Sequence, residues 1–151
     1  MKKEIEYQLF LDQVNKLTER RQAVTATYLS VNAAIVGAVA FIFKDVDMLE
    51  GGRQASALVL LISGLVACDL WRRLINQYST LLEWWYEQLR ALEDVMPESS
   101  KLLTREHDDL YGGKSGKAPI GLTRYEVRLT RLFTLVYVAF GLVILLALVF
   151  S

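Results

Sequence analysis

One histidine and one cysteine are all that the chain offers of the side chains that most often hold metals or attack substrates. His107 stands in Glu106-His107-Asp108-Asp109, which has the donor types of a metal site. Adjacent residues on a helix point in different directions, however, and a metal site needs several ligands converging from compatible positions. The run predicts an exposed polar helix face, with no metal and no cofactor. Cys68, being alone, forms no intrachain disulfide. It falls among apolar residues, which predicts a small packing side chain and not a reactive thiol. Gly112-Gly113-Lys114-Ser115-Gly116-Lys117 has the residue types of a phosphate-binding loop. That motif requires Gly, four residues, then Gly-Lys-Ser/Thr, after a strand. The spacing is wrong and no strand precedes it, so the segment through Pro119 predicts a flexible linker.

The polar residues within apolar stretches are more informative. Asn32 lies near the middle of the apolar run 23–43, where an unpaired amide is costly. Two readings follow: a hydrogen bond between helices, or one member of a polar ring lining a central passage. On another face of the same run, Ala26, Ser30, Ala33, Ala34 and Gly37 fall together at helical spacing, with Ala40 beyond them. Small residues let helix backbones approach closely, the main route to association in lipid, so this face predicts helix or oligomer packing. Asp69 precedes Arg72 and Arg73 by about one turn, which predicts an ion pair near the inner headgroups. A proton-carrying carboxylate would lie deeper and have a second titratable partner. Trp84, Trp85 and Tyr86 form the densest aromatic run, with Trp84 and Tyr86 suited to contact a neighbouring copy. No catalytic constellation emerges, and the chain is not expected to be an enzyme.

The elements that must position these residues are helices. Trp71, Ile75, Tyr78, Leu82, Trp85, Leu89, Leu92 and Met96 follow alternating steps of four and three. The same rhythm extends backwards through Cys68, Gly64, Leu61 and Ala57. A sustained a/d repeat marks helices packed along a seam. The N-terminal segment repeats the pattern with Tyr7, Phe10, Val14, Leu17, Val24 and Tyr28. Each stretch predicts a helix of about 40 residues, about 60 Å long at 1.5 Å per residue. Three apolar stretches, 23–43, 55–71 and 132–150, approach the roughly 20 residues needed to cross a hydrocarbon core.

Formal net charge is zero, with 17 basic and 17 acidic residues, which argues against nucleic-acid binding. The distribution is uneven. Fifteen of the 17 basic residues precede the first span or lie between the second and third. The positive-inside rule makes that side cytoplasmic. Arg20, Arg21, Asp69, Arg72, Arg73, Arg124, Arg128 and Arg131 then sit at the membrane interface. Ala38-Val39-Ala40 resembles a signal-peptide cleavage site. The segment before it is long and acidic (Glu4, Glu6, Asp12, Glu19), so a retained span is expected. The expected layout of the single membrane domain, 1–151, is a cytoplasmic helix 1–22, spans 23–43 and 55–71, an external loop 44–54, cytoplasmic helices and linker 72–131, and a third span 132–150. Glu98-Ser99-Ser100 predicts the turn and cap before a short amphipathic helix that reaches about Leu110.

With this topology, Glu6-Tyr7 through Leu9-Phe10, Leu17-Thr18-Glu19-Arg20-Arg21-Gln22-Ala23 and Tyr28-Leu29-Ser30-Val31-Asn32-Ala33-Ala34 resemble the opening of the RipA-type octameric membrane proteins. In that family an Arg-Arg pair precedes a span that carries an Asn. Trp71-Arg72-Arg73-Leu74-Ile75-Asn76-Gln77-Tyr78 through Met96-Pro97, and Leu122-Thr123 with Glu126, are similar to its later blocks. The chain departs from the pattern at Ser79, Thr80 and Leu81, where the family usually has Arg and then Asn. The resemblance implies a homo-oligomeric, octameric ring in the bacterial inner membrane with no enzymatic chemistry. A weaker likeness is to small two-span membrane effectors of antiphage systems. The expectation is an all-α integral membrane protein: three transmembrane helices, the first two a long antiparallel hairpin that continues as a coiled-coil-like cytoplasmic region. Its expected role is a membrane ring or scaffold, in stress or defence, whose partners are itself, the lipid bilayer and an unidentified protein. The rival is a pore or membrane-permeabilising effector gated by a partner or ligand.

Overall fold

The computed structural model describes residues 2–43, 51–95, 101–110 and 122–150, and every element among them is an α-helix. These are α1 (Lys2–Phe43), α2 (Gly51–Glu93), α3 (Leu102–Leu110) and α4 (Leu122–Phe150). No proline falls within the four described helices, so none of them is interrupted by a missing backbone N–H. Helix α2 begins at Gly51, so residues 51–54 of the expected loop 44–54 are helical. The first turn of a helix has no intrahelical partner for its N–H groups, which makes glycine there less costly than in the interior. Helix α2 closes through a turn in which the Asp94 amide donates to the Arg90 carbonyl at 3.0 Å. Helix α4 begins at Leu122, so Arg124, Arg128 and Arg131 ride on the same helix as the third apolar span. Residues 44–50, Met96, Pro97, the expected cap at 98–100 and the 112–119 linker lie outside the described residues.

The helices contribute to two compact units. One comprises Met1–Ala23 and Ile75–Tyr125. In it the early turns of α1 pack against the late turns of α2: Val14, Leu82 and Leu89 form a buried cluster with Tyr7, Phe10, Leu17, Trp85 and Leu103 around it. Phe10 meets Trp85 edge to face at 5.1 Å, a favourable quadrupole geometry. Tyr7 pairs with Glu93 and Phe10 with Trp85, so the two segments run antiparallel.

The other unit comprises Val24–Leu74 and Glu126–Ser151. Three helical segments pack around Val39, Ala57, Leu61, Cys68, Tyr137 and Ile144. Tyr28 stacks on Trp71 and Trp71 meets Phe133, while Phe43 stacks on Phe140. In this unit α2 runs opposite to both α1 and α4. Three helices, spanning Glu4–Phe43, Gln54–Glu93 and Thr123–Ala147, are long and apolar enough to cross a membrane. Within the apolar runs 23–43 and 132–150 large apolar side chains face outward, Phe41 and Val149 each 76% exposed, as suits a surface solvated by lipid.

Candidate functional site

The most concentrated chemistry lies in the three-helix unit, at Asn32. Its side chain is fully buried, and both its amide oxygen and its amide nitrogen are hydrogen-bonded. The Tyr137 hydroxyl donates to Asn32 Oδ1 at 2.8 Å, and the Cys68 thiol donates to the same oxygen at 3.2 Å. Asn32 Nδ2 donates back along its own helix to the Tyr28 carbonyl at 2.7 Å. One amide thus links α1, α2 and α4. Tyr137 reaches it because Gly64 leaves room: a Cβ at position 64 would lie 2.5 Å from Tyr137 Cζ. The glycine belongs to the a/d face of α2, whose members Ala57, Leu61, Gly64, Cys68 and Trp71 are all buried. Of the two readings of Asn32, this geometry is that of an interhelical hydrogen bond, with the amide turned into its own bundle.

Other polar groups in this unit tie helices or balance charge. Thr25 Oγ1 donates to Glu126 Oε1 at 2.9 Å, joining α1 to α4. Asp69 accepts from Arg72 Nη2 and Arg73 Nε, each at 2.7 Å, so its two oxygens are taken by two guanidinium groups of its own helix. Thr130 is buried, its hydroxyl returned to the Val127 carbonyl at 2.8 Å. Trp71 Nε1 is a buried nitrogen without a hydrogen-bond partner among the described residues. Arg128 and Arg131 are exposed.

The other unit holds a second polar centre, at Glu93, which the spacing of the sequence does not signal. Its carboxylate is buried and accepts four hydrogen bonds. Tyr7 Oη and the Leu103 amide donate to Oε1 at 2.8 and 3.0 Å. The amide and hydroxyl of Thr104 donate to Oε2, both at 2.8 Å. Leu103 and Thr104 open α3, so Glu93 caps that helix from the end of α2 and places its negative charge where the helix dipole favours it. Burial pushes the carboxyl pKa up, but the bonds from Thr104, Leu103 and Tyr7 together outweigh it, and Glu93 is held below the ordinary value of 4.5. Tyr7 is pushed up to about 12 by burial and by the adjacent carboxylate. In the same unit Arg21 Nη2 donates to Thr123 Oγ1 at 2.9 Å, while Arg20 and Arg124 are exposed. Ile75, Leu82 and Leu89 are buried, with Tyr78, Trp85 and Leu92 half-buried. Trp84 and Tyr86 point outward, 49% and 41% exposed.

The small-residue face of α1 makes no contact of this kind. Ala26, Ser30, Ala33, Ala34 and Gly37 are all exposed, and nothing lies within 4 Å of a Cβ built at Gly37. Packing inside the chain uses Tyr28, Asn32, Ile35, Val36 and Val39 instead. Gly37 lies about 140° around the helix from Asn32 at 3.6 residues per turn. Of the His107 run, Glu106, Asp108 and Asp109 are exposed, and no cluster of three metal-ligating residues occurs among the described residues.

Searches of curated proteins and of solved structures give no match. The model of the octameric membrane protein family, 8xMP, matches residues 4–147, a range that takes in all three membrane-capable helices, both polar centres and the exposed small face. The chain belongs to the octameric membrane protein family.

Proposed function

We propose that the protein is a non-enzymatic scaffold: a homo-oligomeric ring that copies of the chain build by packing the small face of α1 against a neighbour. The observation that carries this is the outward placement of Ala26, Ala33, Ala34 and Gly37 on a helix whose opposite side is filled by its own chain. Among the described residues these small side chains are exposed, and nothing packs on the Cβ position of Gly37. In lipid they admit a second helix to close range, where dispersion and weak backbone contacts accumulate. Asn32, Cys68 and Tyr137 satisfy one another, and Glu93 is occupied as a cap, so the buried polar groups act as ties between helices. The distribution of basic residues orients the chain with its N-terminus in the cytoplasm and its C-terminus outside, in the bacterial inner membrane that the family resemblance implies. Stress or defence is the setting in which such a ring would serve.

Assembly gives the test. The mass of the detergent-solubilised particle, measured by light scattering, should fall from the oligomer to smaller species in Gly37→Leu, because the added bulk blocks close approach. Val31→Leu, on a different face, should leave it unchanged. A full-size, stable particle in Gly37→Leu would remove this face from the assembly.

A further inference from the structure

A groove of about 340 Å³ opens between α2 and α4 in the three-helix unit. That volume lies in the range of small-ligand sites, roughly 300–1,000 Å³. Its two ends differ in chemistry. Leu65 and Leu135 line one end, Asp69, Arg72 and Arg131 the other, with the Thr134 side chain between them. Because α2 and α4 are antiparallel here, the apolar residues of both helices lie towards the same end. From Leu65 to Arg72 is about 10 Å along the helix axis at 1.5 Å per residue. The apolar end is embedded in the runs 55–71 and 132–150, and the charged end faces the basic side of the chain.

The charge at that end is net positive. Asp69 is already engaged by Arg72 and Arg73, each at 2.7 Å. Arg131 is exposed and has no ion-pair partner among the described residues. A ligand that fits must carry an anion beside an apolar chain, with the two arranged along the membrane normal. We infer that the groove is a binding site for one anionic glycerophospholipid, its phosphate at Arg131 and Arg72 and an acyl chain over Leu65 and Leu135. Basic pockets between transmembrane helices suit anionic headgroups. A zwitterionic lipid would bring a cation of its own against two arginines, and free phosphate would leave the apolar half unused. The site depends only on the helices crossing a bilayer, so it stands or falls apart from the scaffold reading.

Native mass spectrometry of the full-length protein in mild detergent tests it, with phosphatidylglycerol and phosphatidylcholine of identical chains added in parallel. The unmodified protein should bind its first phosphatidylglycerol more tightly than phosphatidylcholine. Arg131→Gln should cut that preference about fivefold, the worth of one basic side chain at an anionic surface. Arg20→Gln, which removes the same charge elsewhere, should not. Thr134→Phe, which fills the groove and keeps every charge, should also lose the first lipid while retaining its unfolding midpoint. Equal losses in Arg131→Gln and Arg20→Gln would assign the preference to diffuse charge and overturn the site. So would tight binding that persists in Thr134→Phe, or displacement of the lipid by millimolar inorganic phosphate.

Discussion

Gly64 shows how one missing atom sets the geometry of the polar core. The Tyr137 ring occupies the space a side chain would take, with Cε1 and Cε2 each 2.7 Å from the Cβ position and Cζ nearer still. Gly64→Ala must therefore push the ring away and draw its hydroxyl from Asn32. Overpacking of this kind costs about 1–3 kcal/mol. The thermal unfolding midpoint of the solubilised protein should fall, whereas Gly141→Ala, whose Cβ would meet Leu61 at an ordinary 4.0 Å, should leave it near the original. A Gly64→Ala protein as stable as its parent would mean the Tyr137–Asn32 contact is dispensable. Asn32 was conspicuous in the sequence because it is the one amide side chain in the apolar run 23–43. Its partners were not, since they lie 36 and 105 positions away and no local spacing connects them. Gly64 was legible as a member of the a/d rhythm, but not as the vacancy that a tyrosine fills.

At the scale of elements, the long helices were legible because periodicity and the absence of internal proline act locally, turn by turn. The start of α3 was not, because its cap comes from another helix. Glu93, on α2, takes the amides of Leu103 and Thr104, a partnership over 10 and 11 positions that no local spacing signals. The linkage has a definite sign. Because the folded-state pKa of Glu93 lies below its ordinary value of 4.5, its stabilisation is present in full above that pH and is lost as pH falls through the lowered value. Tyr7 works in the opposite direction: its contribution is complete below its ordinary 10.0 and is lost as pH rises through about 12. Hydrogen-exchange protection of α3 should thus hold at neutral pH and fall at acid pH below 4.5. Glu93→Gln, which titrates nowhere in this range, should flatten that dependence and lower protection at pH 7. Equal protection of the two proteins across the acid range would remove the carboxylate from the account of how α3 is held.

At the scale of the whole molecule, the question is whether an octameric membrane protein must also conduct. A pore needs polar groups facing a shared axis and available to water. In this chain the intramembrane amide faces the other way: Asn32 is 0% exposed, and its oxygen receives both Tyr137 and Cys68. The exposed small face of α1 proposed for assembly, Ala26 to Gly37, is mainly apolar, with the Ser30 hydroxyl returned to the Ala26 carbonyl at 3.0 Å. If copies assemble on that face as proposed, the purified protein in liposomes should release little entrapped dye. Asn32→Leu should leave that low leak unchanged and act on stability instead. It deprives a buried tyrosine hydroxyl of its main acceptor; interhelical hydrogen bonds in membranes are worth about 0.6 kcal/mol on average and up to about 1.7. The unfolding midpoint should drop modestly while the particle mass stays constant. Robust conductance of the unmodified protein, abolished in Asn32→Leu with assembly intact, would show that Asn32 faces water during function, and the scaffold would give way to a gated pore.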